Sequence, residues 1–177
     1  MSFPLIEIDR LQLIGLTEDH INDLFEQYSD EEAMKYWDGF PHKDEEDTRK
    51  LVQRLRERYK AGTSIWWGIK FKGTHKIIGS MGYNRFAPNG LAVIGYMLNR
   101  NYWQQGIMTE AVTGMVKFGF EELKVHRIEA HVTPGNTVSE RLLLKLGFMR
   151  EGLLREREFY KGTHQSLIIY GKLVSDE

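Results

Sequence analysis

Residues 91–111 of this 177-residue chain read LAVIGYMLNRNYWQQGIMTEA, and this stretch joins two kinds of secondary structure. Its first part, Leu91 to Leu98, is an apolar run of strand length that follows a Pro88-Asn89-Gly90 turn. From Ala111 onward the apolar residues recur at helical spacing: Ala111, Val112, Met115, Val116, Gly119, Phe120 and Leu123. The stretch therefore predicts a strand that leads, through a turn containing Gly106, into a helix.

The turn before that helix can form an anion site. Backbone N–H groups in the first turn of a helix have no partner within the helix, and they lie at the positive end of its dipole. A pyrophosphate is the obvious ligand for such a turn. The sequence lacks the Lys-Ser/Thr ending of a P-loop and the three glycines of a dinucleotide fold, so neither class fits. A single glycine is a weak signal, and a purely structural turn is the alternative interpretation.

The rest of the chain predicts one α+β domain over residues 1–177, because no repeat or Pro/Ser-rich linker interrupts it. Helices are expected at four places: after a Thr17 cap, after the acidic run 44–47, from Ala111, and after a Thr137/Glu140 capping box that ends at Gly147. Strands are expected over 65–71, 76–83, 91–98, 126–132, 149–159 and 165–173. Residues 6–13 add a strand pair or one bulged strand. We expect a mixed sheet of about seven strands with helices on its faces.

Composition and charge exclude several functional classes. The 24 Lys and Arg residues nearly balance the 25 Asp and Glu residues, which argues against a nucleic-acid binder that neutralises many phosphates. The chain has no cysteine, so thiolate metal sites and a covalent cysteine intermediate are excluded. Its six histidines show no metal-ligand spacing, and we expect no metal. We also expect a cytoplasmic protein without membrane contact, because no apolar run could cross a bilayer and no signal-peptide pattern opens the chain.

Five short motifs occur in an order that resembles one enzyme superfamily. They are Ile94-Gly95-Tyr96-Met97-Leu98, Gln104 to Ala111, His126-Arg127-Ile128-Glu129-Ala130, Asn136-Thr137-Val138-Ser139 and Lys145-Leu146-Gly147-Phe148. The series resembles the GNAT superfamily of acyl-CoA N-acetyltransferases, and more closely the RimJ/RimL-type acetyltransferases of ribosomal-protein N-termini. The resemblance covers nearly the whole chain, from Tyr36 to Tyr170. It implies a GNAT-like, mostly antiparallel sheet of seven strands with splayed central strands, about four helices, and a homodimer.

The resemblance also implies a binding site for acetyl-CoA as co-substrate. Backbone groups at the end of the splayed strand are expected to bind the pantetheine arm: Met97, Leu98 and Asn99. Main-chain N–H groups of the next turn are expected to wrap the pyrophosphate: Gln104, Gln105, Gly106, Ile107, Met108 and Thr109. Asn136 matches a position that bonds pantetheine, and Ser139 matches a position near the CoA sulfur. From the residues alone, Asn136 could simply cap the helix and Ser139 could bond the helix backbone.

The acceptor side of the implied site is formed by other residues. Glu158 matches a carboxylate proposed to act as a base through water, and the loop of Tyr36 and Trp37 is expected to lie over the acceptor. The alternation of Arg and Glu before Glu158 could equally be a solvated hairpin. Glu129 is the other candidate carboxylate, and an ion pair with Arg127 is its favoured interpretation.

Three positions depart from the superfamily's pattern. Trp103 stands where many members carry Arg or Gln, and Ser166 stands where relatives often have Asp. Leu143 occupies the place of the tyrosine that often protonates the departing thiolate, and leucine cannot donate a proton. Ser139 or solvent must then serve the sulfur.

The residues favour direct attack of an amine on the thioester, because neither cysteine nor a Ser-His-Asp arrangement is present. An α-amino group has a pKa near 7.7–8.0, so roughly a tenth is neutral at pH 7, whereas lysine near 10.4 is almost wholly protonated. No strong base is evident, which favours a protein N-terminus, and the resemblance suggests that of a ribosomal protein. Two alternatives stay open. The acidic run 44–47 suggests a polyamine or small amino compound as acceptor, and Leu143 suggests a CoA-binding sensor with weak catalysis.

Overall fold

A computed structural model describes residues 3–176 and, within them, four α-helices and one sheet of eight strands. The helices are α1 (Ile21–Tyr28), α2 (Glu45–Lys60), α3 (Ile107–Glu121) and α4 (Thr137–Lys145). The strands are β1 (Ile6–Glu7), β2 (Leu11–Gly15), β3 (Ile65–Phe71), β4 (Gly79–Phe86), β5 (Leu91–Leu98), β6 (Arg127–Val132), β7 (Met149–Tyr160) and β8 (Thr163–Leu173). The α+β class is therefore confirmed.

Two neighbouring inner strands of the sheet, β5 and β6, diverge. The strand order is β1-β2-β3-β4-β5-β6-β8-β7, and only β5 and β6 pair in parallel. Their pairing ends at Ile94 and Ala130, whereas β5 continues beside β4 as far as Leu98 and β6 continues beside β8. One edge of β5 therefore lacks a strand partner over residues 95–98, as the expected splay requires.

The prediction of seven strands was wrong. Residues 6–13 form a hairpin of two separate strands, with Ile6 opposite Leu13 and Glu7 opposite Gln12. The apolar spacing left a strand pair and one bulged strand equally open, because both place the same side chains on the core face. The eighth strand is the first member of this hairpin.

Helices cover both faces of the sheet and bury two apolar clusters. The larger cluster includes Ile94, Ala130 and the apolar face of α3, and the smaller one joins Met97 and Trp66 to α1 and α2. Neighbouring residues of a strand point to opposite faces of the sheet. The gap between the diverging ends of β5 and β6 therefore borders the helices on both faces. Within residues 3–176 no helix is long and apolar enough to span a bilayer.

Candidate active site

The turn before α3 presents a row of unused backbone donors. Gly106 is the N-cap residue of α3 with φ +74°, and Gln104 also has a positive φ of +60°. The first helical hydrogen bond runs from the Glu110 N–H to the Gly106 carbonyl over 3.1 Å. The N–H groups of residues 104–109 donate to no atom in the described part of the chain. Six consecutive donors at the positive end of a 15-residue helix can form an anion site.

Arg10, in the N-terminal part of the sequence, contacts this turn and the start of α3. Its Nε lies 2.7 Å from Oε2 of Glu110, and its backbone N–H donates to Oε1 of the same carboxylate over 2.8 Å. Its guanidinium also reaches the carbonyl of Gln105 at 3.4 Å. Because Arg10 and Glu110 are 100 residues apart in the sequence, no local motif indicated their contact.

The side chain of Trp103 binds the backbone at the end of β5. Its indole Nε1 donates to the carbonyl of Leu98 over 2.8 Å, so it satisfies one group on the unpaired edge. The Asn99 N–H donates to the carbonyl of Ile78 over 2.9 Å and is therefore already engaged. Met97 and Asn99 are both buried.

Ser139 meets a tyrosine that the sequence did not indicate. The side chains of Ser139 and Tyr96 share a hydrogen bond of 2.6 Å, which brings α4 to the diverging part of β5. Burial raises the pKa of Tyr96 to about 12, although the bond with Ser139 acts to lower it. The phenol is therefore protonated near neutral pH and can donate to Ser139. Leu143 is fully buried in the core.

The N-terminus of α4 lies one residue earlier than the expected capping box. Asn136 is the cap, and its side-chain oxygen accepts from the Ser139 N–H over 3.3 Å. The carboxylate of Glu140 instead accepts a hydrogen bond from the Tyr170 hydroxyl over 2.7 Å. The Thr137/Glu140 capping box was therefore wrong, and the capping interpretation of Asn136 is confirmed.

A cavity of about 560 Å³ lies on the α2 side of the divergence. It brings together Glu158 and the two loop aromatics that the sequence analysis singled out, Tyr36 and Trp37. Other aromatic walls come from Tyr28, Trp66 and Tyr160. The charged and polar lining includes Asp38, Arg54, Arg58, Asn84, His131 and Thr133. The volume lies within the range of small-ligand sites.

A bulge in β7 precedes Glu158. Leu154 lies opposite Leu167 and Glu158 lies opposite Gln165, so β7 carries two extra residues between these pairs. Glu156 in the bulge has φ +50°, and its N–H donates to the Ser166 hydroxyl over 3.0 Å. Ser166 thus stabilises the backbone just before the candidate base. Such bulges often re-aim side chains beside active sites.

The loop over the cavity is held at several points. The Tyr36 hydroxyl donates to the carbonyl of Gly135 over 2.9 Å, and the Trp37 ring meets Trp66 edge-on at 6.1 Å. The Lys161 ammonium donates to the carbonyl of Met34 over 2.7 Å. These contacts join the loop to the β6–α4 and β7–β8 connections.

A chain of charged groups runs along β6 to the cavity. Arg127 Nε lies 2.8 Å from Oε1 of Glu129, which confirms the expected ion pair. Oε2 of the same carboxylate lies 3.0 Å from Nε2 of His131, and Arg127 also pairs with Glu151. Burial acts to raise the pKa of Glu129, but hydrogen bonds from His131 and Arg127 outweigh it and lower the pKa. The alternation of these three side chains on one strand face was the available signal for this chain of contacts.

Comparison with known proteins identifies the family. Residues 10–149 match the model of the acetyltransferase (GNAT) domain. The chain belongs to the GNAT family of acetyltransferases. The uncharacterized N-acetyltransferase p20 of Bacillus licheniformis is 38% identical over 155 residues, 87% of each chain. This GNAT chain is also 26% identical to the ribosomal-protein-serine acetyltransferase of Escherichia coli strain K12, over 174 residues and 96% of each.

Solved structures share the fold of this chain. A complex of RimL, the ribosomal L7/L12 α-N-protein acetyltransferase, with coenzyme A superposes with a TM-score of 0.86. It is 22% identical and covers 98% of this chain and all of its own. The protein is therefore an acyltransferase of the N-acetyltransferase class. No group of three or more His, Cys, Asp or Glu side chains in residues 3–176 is arranged to hold a metal ion.

Proposed function

We propose that the protein transfers the acetyl group of acetyl-CoA to the N-terminal α-amino group of a ribosomal protein. One observation carries the proposal: the anion-binding turn and the aromatic cavity meet the same divergence of β5 and β6. The turn can hold a pyrophosphate and the cavity can hold an amine. The gap between β5 and β6 connects the turn to the cavity, so a thioester lying within this gap would face the acceptor.

Three features of the structure fit acetyl-CoA. Six unused N–H groups at residues 104–109 suit the two phosphates of its pyrophosphate. The unpaired edge of β5 over residues 95–98 offers to the amides of pantetheine the backbone groups that remain beside the Leu98 carbonyl, which Trp103 already binds. Asn136, at the start of α4, retains its side-chain NH₂ for the same arm. The coenzyme A complex of the RimL fold relative supports this assignment.

The side chains around the divergence suit the reaction. Acetyl-CoA supplies an activated acyl carbon and a thiolate leaving group. Glu158 accepts a proton from the acceptor ammonium through water, which frees the amine lone pair. Ser139 gives its proton to the departing sulfur and takes one from Tyr96, which acts as the acid that Leu143 cannot be. Tyr96 then regains a proton from the two that the acceptor nitrogen releases.

The cavity favours an N-terminus over a polyamine. The carboxylates of Asp44 and Asp47 are occupied at the start of α2, where Asp44 accepts from the Asp47 N–H and Asp47 accepts from the Lys43 N–H. In the 560 Å³ cavity two arginines offset two carboxylates, so the wall lacks the negative charge that would attract several ammonium groups. An α-amine needs only a modest base, and the similarity to the ribosomal-protein-serine acetyltransferase of Escherichia coli points the same way.

Thiol release tests this proposal. Because the chain has no cysteine, a thiol reagent reads only the CoA that is released. We expect saturable acetyl-CoA binding and turnover with a peptide that has a free N-terminus. We expect no turnover with spermidine or with a lysine peptide whose N-terminus is blocked. Tight binding with no release on any amine would instead support the sensor. A homodimer, a cytoplasmic location and a single domain over 1–177 stay predictions.

A further inference from the structure

We propose that His131, held by Glu129, accepts a proton from the acceptor nitrogen as the amide bond forms. This inference rests on the proposed function, because it assigns a second proton acceptor to the same cavity. His131 lines that cavity together with Glu158, and its side chain is 26% exposed.

The reaction removes two protons from the acceptor nitrogen. The acceptor enters as R–NH₃⁺ and leaves as R–NH–COCH₃, so its nitrogen loses two protons. The first loss frees the lone pair, and the lone pair then forms the C–N bond to the acetyl carbon. The electron pair of the C–S bond leaves with sulfur, and the nitrogen, now positively charged, gives up its second proton. One proton ends on the CoA thiol and the other in solvent. Glu158 accepts the first proton, and His131 accepts the second.

The hydrogen bond to Glu129 fixes the tautomer of His131. The ionised carboxylate can only accept, so Nε2 of the neutral ring must carry the hydrogen across the 3.0 Å contact. Nδ1 therefore carries the lone pair, and it has no hydrogen-bond partner within residues 3–176. In this tautomer Nδ1 is the ring atom that can receive a proton.

Arg127 keeps this carboxylate in place. It binds Oε1 of Glu129 and leaves Oε2 for His131, while its remaining nitrogens pair with Glu151. Arg127, Glu129 and Glu151 together carry a net charge of −1. Glu129 is therefore a positioning residue for His131.

Groups on the other elements around the cavity leave that charge balance unchanged. The carboxylates of Asp38 and Glu158 are offset by the guanidinium groups of Arg54 and Arg58. The hydroxyl groups of Tyr36 and Tyr160 also line the cavity. The net charge of −1 on Arg127, Glu129 and Glu151 is thus the unbalanced charge near His131, and it comes from two residues of β6 and one of β7.

The pH dependence of kcat tests the role. A positioned base contributes about a hundredfold or more, so His131→Gln should lower kcat by about that factor while leaving acetyl-CoA binding unchanged. It should also change the pH dependence of kcat, because the variant lacks one proton acceptor. His126→Gln, a matched change at the exposed residue just before β6, should behave like wild type. Free imidazole should restore part of the activity of His131→Ala.

Glu129→Gln separates positioning from structural support. In this variant the ring loses the carboxylate that fixes its tautomer, so kcat should fall and the hydrogen should no longer be confined to Nε2. A structural defect alone would lower kcat without changing the tautomer. Nitrogen-detected NMR of the ligand-free protein should show hydrogen on Nε2 of His131 at high pH. Hydrogen on Nδ1 instead would overturn the inference.

Two further results separate the proposals. If wild type acetylates the N-terminal peptide and His131→Gln keeps its kcat and its pH profile, the role of His131 is refuted and the proposed function stands. If wild type acetylates no amine, both proposals fail.

Discussion

Gly106→Ala should weaken acetyl-CoA binding through the backbone alone. A Cβ on Gly106 would meet only Arg10 Nη2, at an ordinary 3.8 Å, so the substitution creates no clash. Its φ of +74° nevertheless costs a non-glycine residue about 1–2 kcal/mol. Because Gln104, Gln105 and Gly106 are exposed, the free loop can relax out of this conformation. Binding must then restore it, and affinity should fall by up to about 5- to 30-fold, the value reached when the whole cost appears in binding.

Gly62→Ala is the matched control. Gly62 follows α2 with φ +68° and has open space around its Cβ position, so it carries the same backbone cost away from the site. Urea unfolding and calorimetric titration with acetyl-CoA should be run on both variants. Gly62→Ala should lose about 1–2 kcal/mol of stability and no affinity, whereas Gly106→Ala should divide the same total between stability and affinity. An unchanged dissociation constant together with unchanged stability for Gly106→Ala would refute the reasoning.

Three other substitutions test separate parts of the site. Glu158→Gln should lower kcat about a hundredfold in the thiol-release assay with little change in the acetyl-CoA dissociation constant, and equal losses in both would indicate misfolding. Tyr96→Phe should lower kcat and cost about 1 kcal/mol in urea unfolding, because Ser139 loses its partner; a fully active variant would exclude the relay. The hydrogen bond from Arg127 lowers the pKa of Glu151 below its usual 4.5, so the stability it provides is present above about pH 4.5 and lost below it. Urea midpoints from pH 6 to pH 3 should therefore fall less for Glu151→Gln than for wild type, and parallel curves would contradict this.

Local patterns predicted the elements that bound the site. The spans 65–71 and 91–98 agree with β3 and β5, because each is a continuous apolar run of strand length. Gly106 and Gly147 were both expected at helix ends, and both have a positive φ. The first hairpin was not resolved from a bulged strand, since pairing between strands is not encoded in the period of one segment.

The unpredicted parts of the site depend on long-range contacts. Tyr96 meets Ser139 across 43 residues, and Arg10 meets Glu110 across 100. Ser166 had no assigned role until the bulge in β7 placed its hydroxyl against Glu156. Only the three-dimensional arrangement brings these groups together.

Tandem mass spectrometry of an acetylated peptide tests the central claim most directly. The peptide should carry both a free N-terminus and an internal lysine, so that both kinds of amine compete in one reaction with acetyl-CoA. We predict one acetyl group per peptide, located on the α-amino nitrogen, at a rate that falls in Glu158→Gln. Acetylation of the lysine side chain, or no enzyme-dependent acetylation of either amine, would contradict the account.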